Sequence, residues 1–333
     1  MVTSPYHLVH VFSMGEIARF SITVHNMLAC CVVPTIMRLW LENEEVFTFK
    51  TGLKHGELDF VWRVVRESLV AHYQMHHASR EPPVSPFASL LATLYWLRQY
   101  PTTTCLSAEL DIKYTTLAED IDHTLLALFN TLVPTCFSDS SLPHREYRES
   151  SLAGVRLVID STFLTLPHNS DADERKTNYH HKSPTRQALK WQLAVSTDGD
   201  PFHISNVVHG SQADVILLRE SGLLDRLTSH TLALGDKAYV GEEKVVTPRK
   251  KPRLAELKEE DKKENRMINS KRVVVENCFH EFKKWVILGG EYRGAFREDK
   301  DRRRVTHIVH VIGAMVKRQL AVHPLRAHPA ATA

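Results

Sequence analysis

The chain has 333 residues, 43% of them apolar, enough for an ordinary buried core and too many for disorder to be the dominant state. A formal net charge of only +3 does not by itself announce nucleic-acid binding, but the charge is uneven: cations outnumber anions from Lys237 to Arg304, while Tyr100 to Ser150 is net acidic. The five cysteines form no CxxC pair and no zinc spacing, so reduced thiols in an intracellular protein are expected.

Residues 1–56 carry no clear motif and read as an N-terminal extension of unknown role. Within them Ile22–Leu41 is apolar, but His25, Asn26, Pro34 and Arg38 suit a membrane span poorly. A buried or partner-facing helix is expected there, and no membrane contact. A helical module follows over residues 57–135. Leu58, Val61, Trp62, Val65 and Leu69 recur at helical spacing between Glu57 and Tyr73. The prolines of Glu81–Pro86 break that run, and a second helical pattern occupies Phe87–Tyr100. A short helix at Thr103–Leu110, a turn at residues 111–113 and a long helix from Tyr114 to Leu132 make a helix-turn-helix-like segment. Its second helix carries Glu119, Asp120 and Asp122 and no Lys or Arg, which would repel phosphates, so a helical cap or dimerisation surface is the preferred reading.

Residues 136–150 are polar and turn-rich and read as a linker. Short β runs follow: Val155–Ile159, Phe163–Leu166, Leu189–Ser196, Phe202–Val208 and Leu232–Gly235, with a hairpin turn at residues 197–201 and a helix over about 212–227. A long amphipathic helix holding Glu276 comes next. Strands, a helix, a strand and a long helix predict an α/β fold with a mixed sheet under covering helices across residues 151–322, and residues 323–333 read as a loose tail.

Three acids stand out. Asp160 ends the apolar run VRLVID, Asp236 ends HTLALGD, and Glu276 sits inside SKRVVVENCFHEFKKW. Meeting at one point, they would offer the hard oxygen ligands that a Mg²⁺ or Mn²⁺ pair needs for in-line attack at phosphate. Each also has a plainer reading: Asp160 and Asp236 as turn residues, Glu276 as one member of a solvated row with Arg272, His280 and Lys283. Ser211-Gln-Ala-Asp214 has the form of a helix cap. His180-His181 lack partners at ligand spacing and read as polar loop residues. The basic segment Pro248–Arg253 suits either a phosphate-contacting loop or a nuclear-import signal.

The order DST, YHHK, LKWQ, HGSQAD, GDKAYVG, TPRKKP and ENRMINSKRVVVENCFHEFKKW resembles DDE superfamily endonucleases of the Harbinger transposase-derived type and related bacterial insertion-sequence transposases, over roughly residues 57–320. The resemblance implies a ribonuclease-H-like fold and a two-metal mechanism that cuts, and in a transposase joins, DNA. It assigns Asp160, Asp236 and Glu276 as catalytic metal ligands for two Mg²⁺ or Mn²⁺ ions. Lys237, Arg249, Lys250, Lys251, Arg272 and Lys283 are the candidates to contact DNA. It also admits a homo-oligomer or a separate DNA-binding partner protein, and nuclear residence if the host is eukaryotic. The alternative is a domesticated, catalytically silent relative that binds DNA or protein.

Overall fold

The computed structural model describes residues 33–76, 84–138, 141–252 and 256–325. Most of Ile22–Leu41, and the tail beyond 325, lie outside them. Where that apolar stretch enters, Pro34 starts helix α1 (Thr35–Glu42), which buries Met37, Trp40 and Leu41. Among the described residues no helix is long and apolar enough to cross a membrane. Asn43 then caps α2 (Glu44–Thr51), its side chain accepting from the amides of Glu45 and Val46.

The predicted helical module is present as α3 (His55–His76), α4 (Pro86–Gln99), α5 (Thr103–Leu110) and α6 (Tyr114–Phe137). α4 starts at a Ser85 cap with Pro86 in its first turn and is apolar on nearly every side, so it sits in the middle of the bundle. α6 buries Leu117, Ile121, Leu125, Leu128 and Leu132. Two of its acids have partners: Asp120 accepts from Ser89 Oγ, and the exposed Asp122 pairs with Arg304 at 2.6 Å.

Among the described residues the sheet has six strands: β1 (Val155–Thr165), β2 (Ala188–Ser196), β3 (Pro201–Ile204), β4 (Val208–His209), β5 (Leu232–Leu234) and β6 (Val245–Val246). The order is β3-β2-β1-β5-β6, with β4 extending beside β2. β1, β2 and β3 are antiparallel, whereas β5 and β6 run parallel to β1. This mixed sheet under helices is the ribonuclease-H-like arrangement. Three sequence expectations change here. Val155–Ile159 and Phe163–Leu166 are one strand, because β2 pairs with it without a break from Leu157 to Thr165. The single strand over 202–208 is two, β3 and β4. The helix over 212–227 is also two, α8 (Asp214–Glu220) and α9 (Leu223–Arg226), split by Gly222 in the left-handed conformation at φ 76°.

A short helix, α7 (Ala172–Thr177), lies between β1 and β2. After β6 come α10 (Glu259–Lys283), α11 (Val286–Gly289) and the closing helix α12 (Asp299–Val322). α10 packs on β1 and β2 by burying Val274, Val275, Cys278, Phe279 and Phe282. α12 packs on α6, α10 and β3, so one continuous apolar core runs from Val33 through the sheet to Leu320. A smaller cluster on the other face of the sheet joins Leu157 and Ile159 to Leu218, Leu223 and Tyr239.

Candidate active site

The parallel pairing of β1 and β5 places two of the three acids. Leu157 faces Ala233 and Val158 faces Leu234; two residues further along come Asp160, in the middle of β1, and Asp236, just past the end of β5. Seventy-five residues of chain are thereby folded away, and the two carboxylates open on one cavity of about 960 Å³. Ligands collect at the carboxyl ends of parallel strands where neighbouring connections diverge, and β1, with an antiparallel neighbour on one side and a parallel one on the other, is such a point.

Asp160 Oδ1 accepts from the Ser161 amide at 2.8 Å, and Oδ2 accepts from the Arg272 guanidinium at 2.8 Å. Burial pushes its carboxyl up to about 6; Arg272 and the Ser161 amide oppose the rise, and the negative charges of Asp236 and Asp214 add to it. Asp236 is at once a turn initiator and a cavity residue. Its Oδ1 accepts from the Ala238 amide at 2.7 Å, capping the 3₁₀ turn Lys237–Tyr239, and the side chain still borders the cavity.

Asp214 is a third acid of this cavity. The cap expected for it does not form: Ala213 holds the N-cap position without a side-chain bond, and Ser211 Oγ donates instead to the Thr177 carbonyl. Asp214 Oδ1 accepts from Lys190 Nζ at 3.0 Å. Lys190 is itself buried and donates also to the Gln212 carbonyl at 2.6 Å, so a fixed positive charge stands beside the acids.

Glu276 is exposed and lies outside this cavity, one helical turn after Arg272 on α10. Among the described residues no group of three or more His, Cys, Asp or Glu side chains could hold a metal ion. Asp160 and Asp236 thus share a cavity, and it is Arg272 rather than Glu276 that α10 presents to Asp160.

A buried polar layer braces the strand ends. Tyr239 Oη lies 3.0 Å from Ser161 Oγ and accepts from Gln192 Nε2 at 2.8 Å, tying β1, β2 and the turn after β5 together; burial raises the Tyr239 pKa. Tyr239→Phe would leave the buried Gln192 amide without that acceptor. We expect it to cost about 1–3 kcal/mol of stability, read from the urea midpoint, with no change in overall secondary structure.

The basic residues singled out in the sequence fall into different settings. Lys237 and Lys250 are exposed. Arg249 pairs with Asp261 and Glu264, and Lys251 pairs with Glu256. Lys283 lies over the Phe163 ring, 4.9 Å from its centroid, and burial pulls its pKa down. His180 and His181 border the acid cavity. His180 packs on Phe163, and burial with Lys190 nearby lowers its pKa to about 4, so it is a neutral ring at physiological pH. Cavity residues that sequence reasoning left without a role include Arg175, Lys182, Arg186 and Lys190; the YHHK and LKWQ motifs were the only signal for any of them.

Residues 159–317 match the family described as DDE superfamily endonuclease. No curated protein matches the chain.

Proposed function

Since residues 159–317 belong to the DDE superfamily endonucleases, we propose that the protein is a divalent-metal-dependent DNA endonuclease of the Harbinger transposase-derived type. The observation that carries this reading is the pairing of β1 with β5, which sets Asp160 and Asp236 side by side at one cavity mouth.

The donor set fits a divalent cation in its chemistry. Two hard carboxylates converge with a third, Asp214, close enough to raise the Asp160 pKa; in the folded chain Arg272 answers Asp160 and Lys190 answers Asp214. Asp160 and Asp236 would hold the Mg²⁺ or Mn²⁺, and Glu276, exposed and outside the cavity, would complete the set only once Arg272 left Asp160 and α10 brought its carboxylate inward. When bound, such ions lower the pKa of an attacking water or 3′-hydroxyl and stabilise the leaving oxygen.

The chain's own groups do the rest. Arg272, released from Asp160, is placed to take a phosphate oxygen, for which its planar fork is suited. Lys190 balances Asp214 from below. The Ser161–Gln192–Tyr239 layer holds the two strand ends at fixed spacing, so the acids need no rearrangement as charge develops. The helical part, residues 57–135, acts as a cap on the nuclease core, and a homo-oligomer or a separate DNA-binding partner would supply target choice. Residence in the nucleus follows if the host is eukaryotic.

The Arg272–Asp160 pair also favours a second reading, a catalytically silent relative that binds DNA or protein with a retired site. Purified protein incubated with supercoiled DNA and Mg²⁺ or Mn²⁺ separates the two. Nicking that EDTA stops, and that Asp236→Asn and Glu276→Gln each reduce by at least about 100-fold, is expected, since each removes a ligand worth several kcal/mol. Nicking unaffected by Asp236→Asn would reject the site. No nicking, with no heat of Mn²⁺ binding, would establish the silent relative.

A further inference from the structure

The acid cavity poses an electrostatic problem: Asp160, Asp214 and Asp236 would repel the phosphates of any strand brought to them. The segment between β1 and β2 supplies an answer. Arg175, Lys176, Lys182 and Arg186 line the same cavity, and among the described residues none of the four makes an ion pair with a carboxylate. Arg175 donates to the Ser170 carbonyl and Arg186 to the His181 carbonyl, neutral acceptors that leave both charges uncompensated. Several other cations singled out by the sequence or lying nearby are answered: Arg249, Lys251 and Arg297 sit on carboxylates, and Arg272 sits on Asp160.

This segment is also built rather than loose. Asp171 caps α7 by accepting from the Glu174 amide at 2.8 Å. Buried Asn178 meets His209 Nδ1 at 2.7 Å, buried Gln187 donates to the Arg175 carbonyl at 3.2 Å, and Thr185 Oγ1 donates to the Leu166 carbonyl at 2.7 Å. Arg186 itself is held at φ 60°, a left-handed conformation uncommon for a residue with a long side chain and kept only where the surroundings enforce it.

We propose that α7 and the loop after it form a phosphate-binding wall, in which Arg175, Lys176, Lys182 and Arg186 grip the backbone of a DNA strand and set its scissile phosphate against Asp160 and Asp236. The grip stands on the unpaired cations alone; only the placement of a scissile phosphate rests on the nuclease reading. Contacts of this kind position DNA without reading its sequence, so the wall contributes affinity and register rather than target choice.

The test is binding of a labelled DNA duplex by the full chain in EDTA, measured by anisotropy across a salt series. Lys182→Glu with Arg186→Glu is expected to weaken binding at least about 10-fold at low salt and to reduce the slope of log K against log salt by about 2, at close to one unit per lost phosphate contact. Arg175→Glu with Lys176→Glu, on the exposed side of α7, should do the same and guards against misfolding of the strained loop. Lys54→Glu with Arg66→Glu, exposed just before α3 and on it, matches the change in net charge and should leave the slope intact. Unchanged slopes in both wall variants, an equal loss in the control, or no DNA binding by the unmodified protein would each overturn the proposal. Protein that binds through the wall and never nicks would keep the wall and remove the nuclease reading. Protein that nicks as well with the wall reversed would remove the wall alone.

Discussion

Asp160→Asn should abolish metal-dependent DNA cleavage, a loss of a thousand-fold or more that corresponds to roughly 4 kcal/mol of transition-state stabilisation, while the protein stays folded. The fold is expected to survive because the amide keeps an oxygen that can accept from the Ser161 amide or from Arg272, the two groups that hold the carboxylate. A second signature separates this from a merely structural effect. Burial, helped by Asp236 and Asp214, raises the Asp160 carboxyl from 3.8 to about 6. A raised carboxyl pKa means that the folded state holds its proton more tightly than the unfolded one. The stability this contributes is therefore complete below the ordinary carboxylate value and is lost as pH rises through about 6, a change of about 3 kcal/mol. Without added metal the unmodified protein should lose stability between about pH 3.8 and about pH 6.5 by an amount that Asp160→Asn removes. Mn²⁺ should reverse the order, raising the melting temperature of the unmodified protein at the higher pH, where the carboxylate is charged, and not at the lower. A pH profile of melting with and without Mn²⁺, run on both proteins, checks this; identical profiles would detach Asp160 from the site.

The second large effect lies under the site. Trp191 is 2% exposed and fills the space between β2 and α10, edge-on to Phe279 with ring centroids 5.3 Å apart and tilted against Phe282 at 5.0 Å. Its partner across the sheet is Thr162, two residues after Asp160. Trp191→Ala should cost about 3–5 kcal/mol, the transfer free energy of the ring plus the cavity left in a packed interior. Because α10 seats on this ring, the helix that carries Arg272 and Glu276 should loosen with it. Denaturant titration gives the stability loss, and amide exchange over residues 272–283 reports the loosening. Trp191→Phe, which keeps an aromatic contact, should lose much less. A small effect of Trp191→Ala on both readouts would mean that α10 is held by the rest of its apolar face.

Much of this was legible in the chain. The helical module was readable because its apolar residues recur at helical spacing and prolines or caps mark its ends; α5 and the start of α6 fall at the expected residues. Asp160 and Asp236 were readable because each closes an apolar run, and the sheet joins those two runs as parallel neighbours. What stayed hidden has physical reasons. β1 looked like two strands because Asp160-Ser161-Thr162 interrupts its apolar pattern, yet backbone pairing with β2 continues regardless of side chain. β6 is only Val245–Val246, too short to show a period. α12 is charged through Asp299–Arg304 and then apolar on most sides through its buried middle, a pattern that periodicity does not readily separate from a strand. The cations of the β1–β2 segment are scattered among loop residues, and only folding shows which of them face the acids. The compact basic run at 249–251, the more conspicuous feature in sequence, carries two cations already answered by carboxylates.

The closing helix α12 has a consequence for how the molecule assembles. It is the surface on which α6 rests, and it reaches the sheet through α10 and β3. During synthesis the N-terminal helices emerge with that side of α6 bare and must wait for a partner made more than 160 positions later. Such distant closure is slow and leaves apolar surface open to other chains in the meantime. A helix made late is thus the one that lets the earlier helices settle, and removing Asp299–Val322 would unseat α6 and the bundle around it.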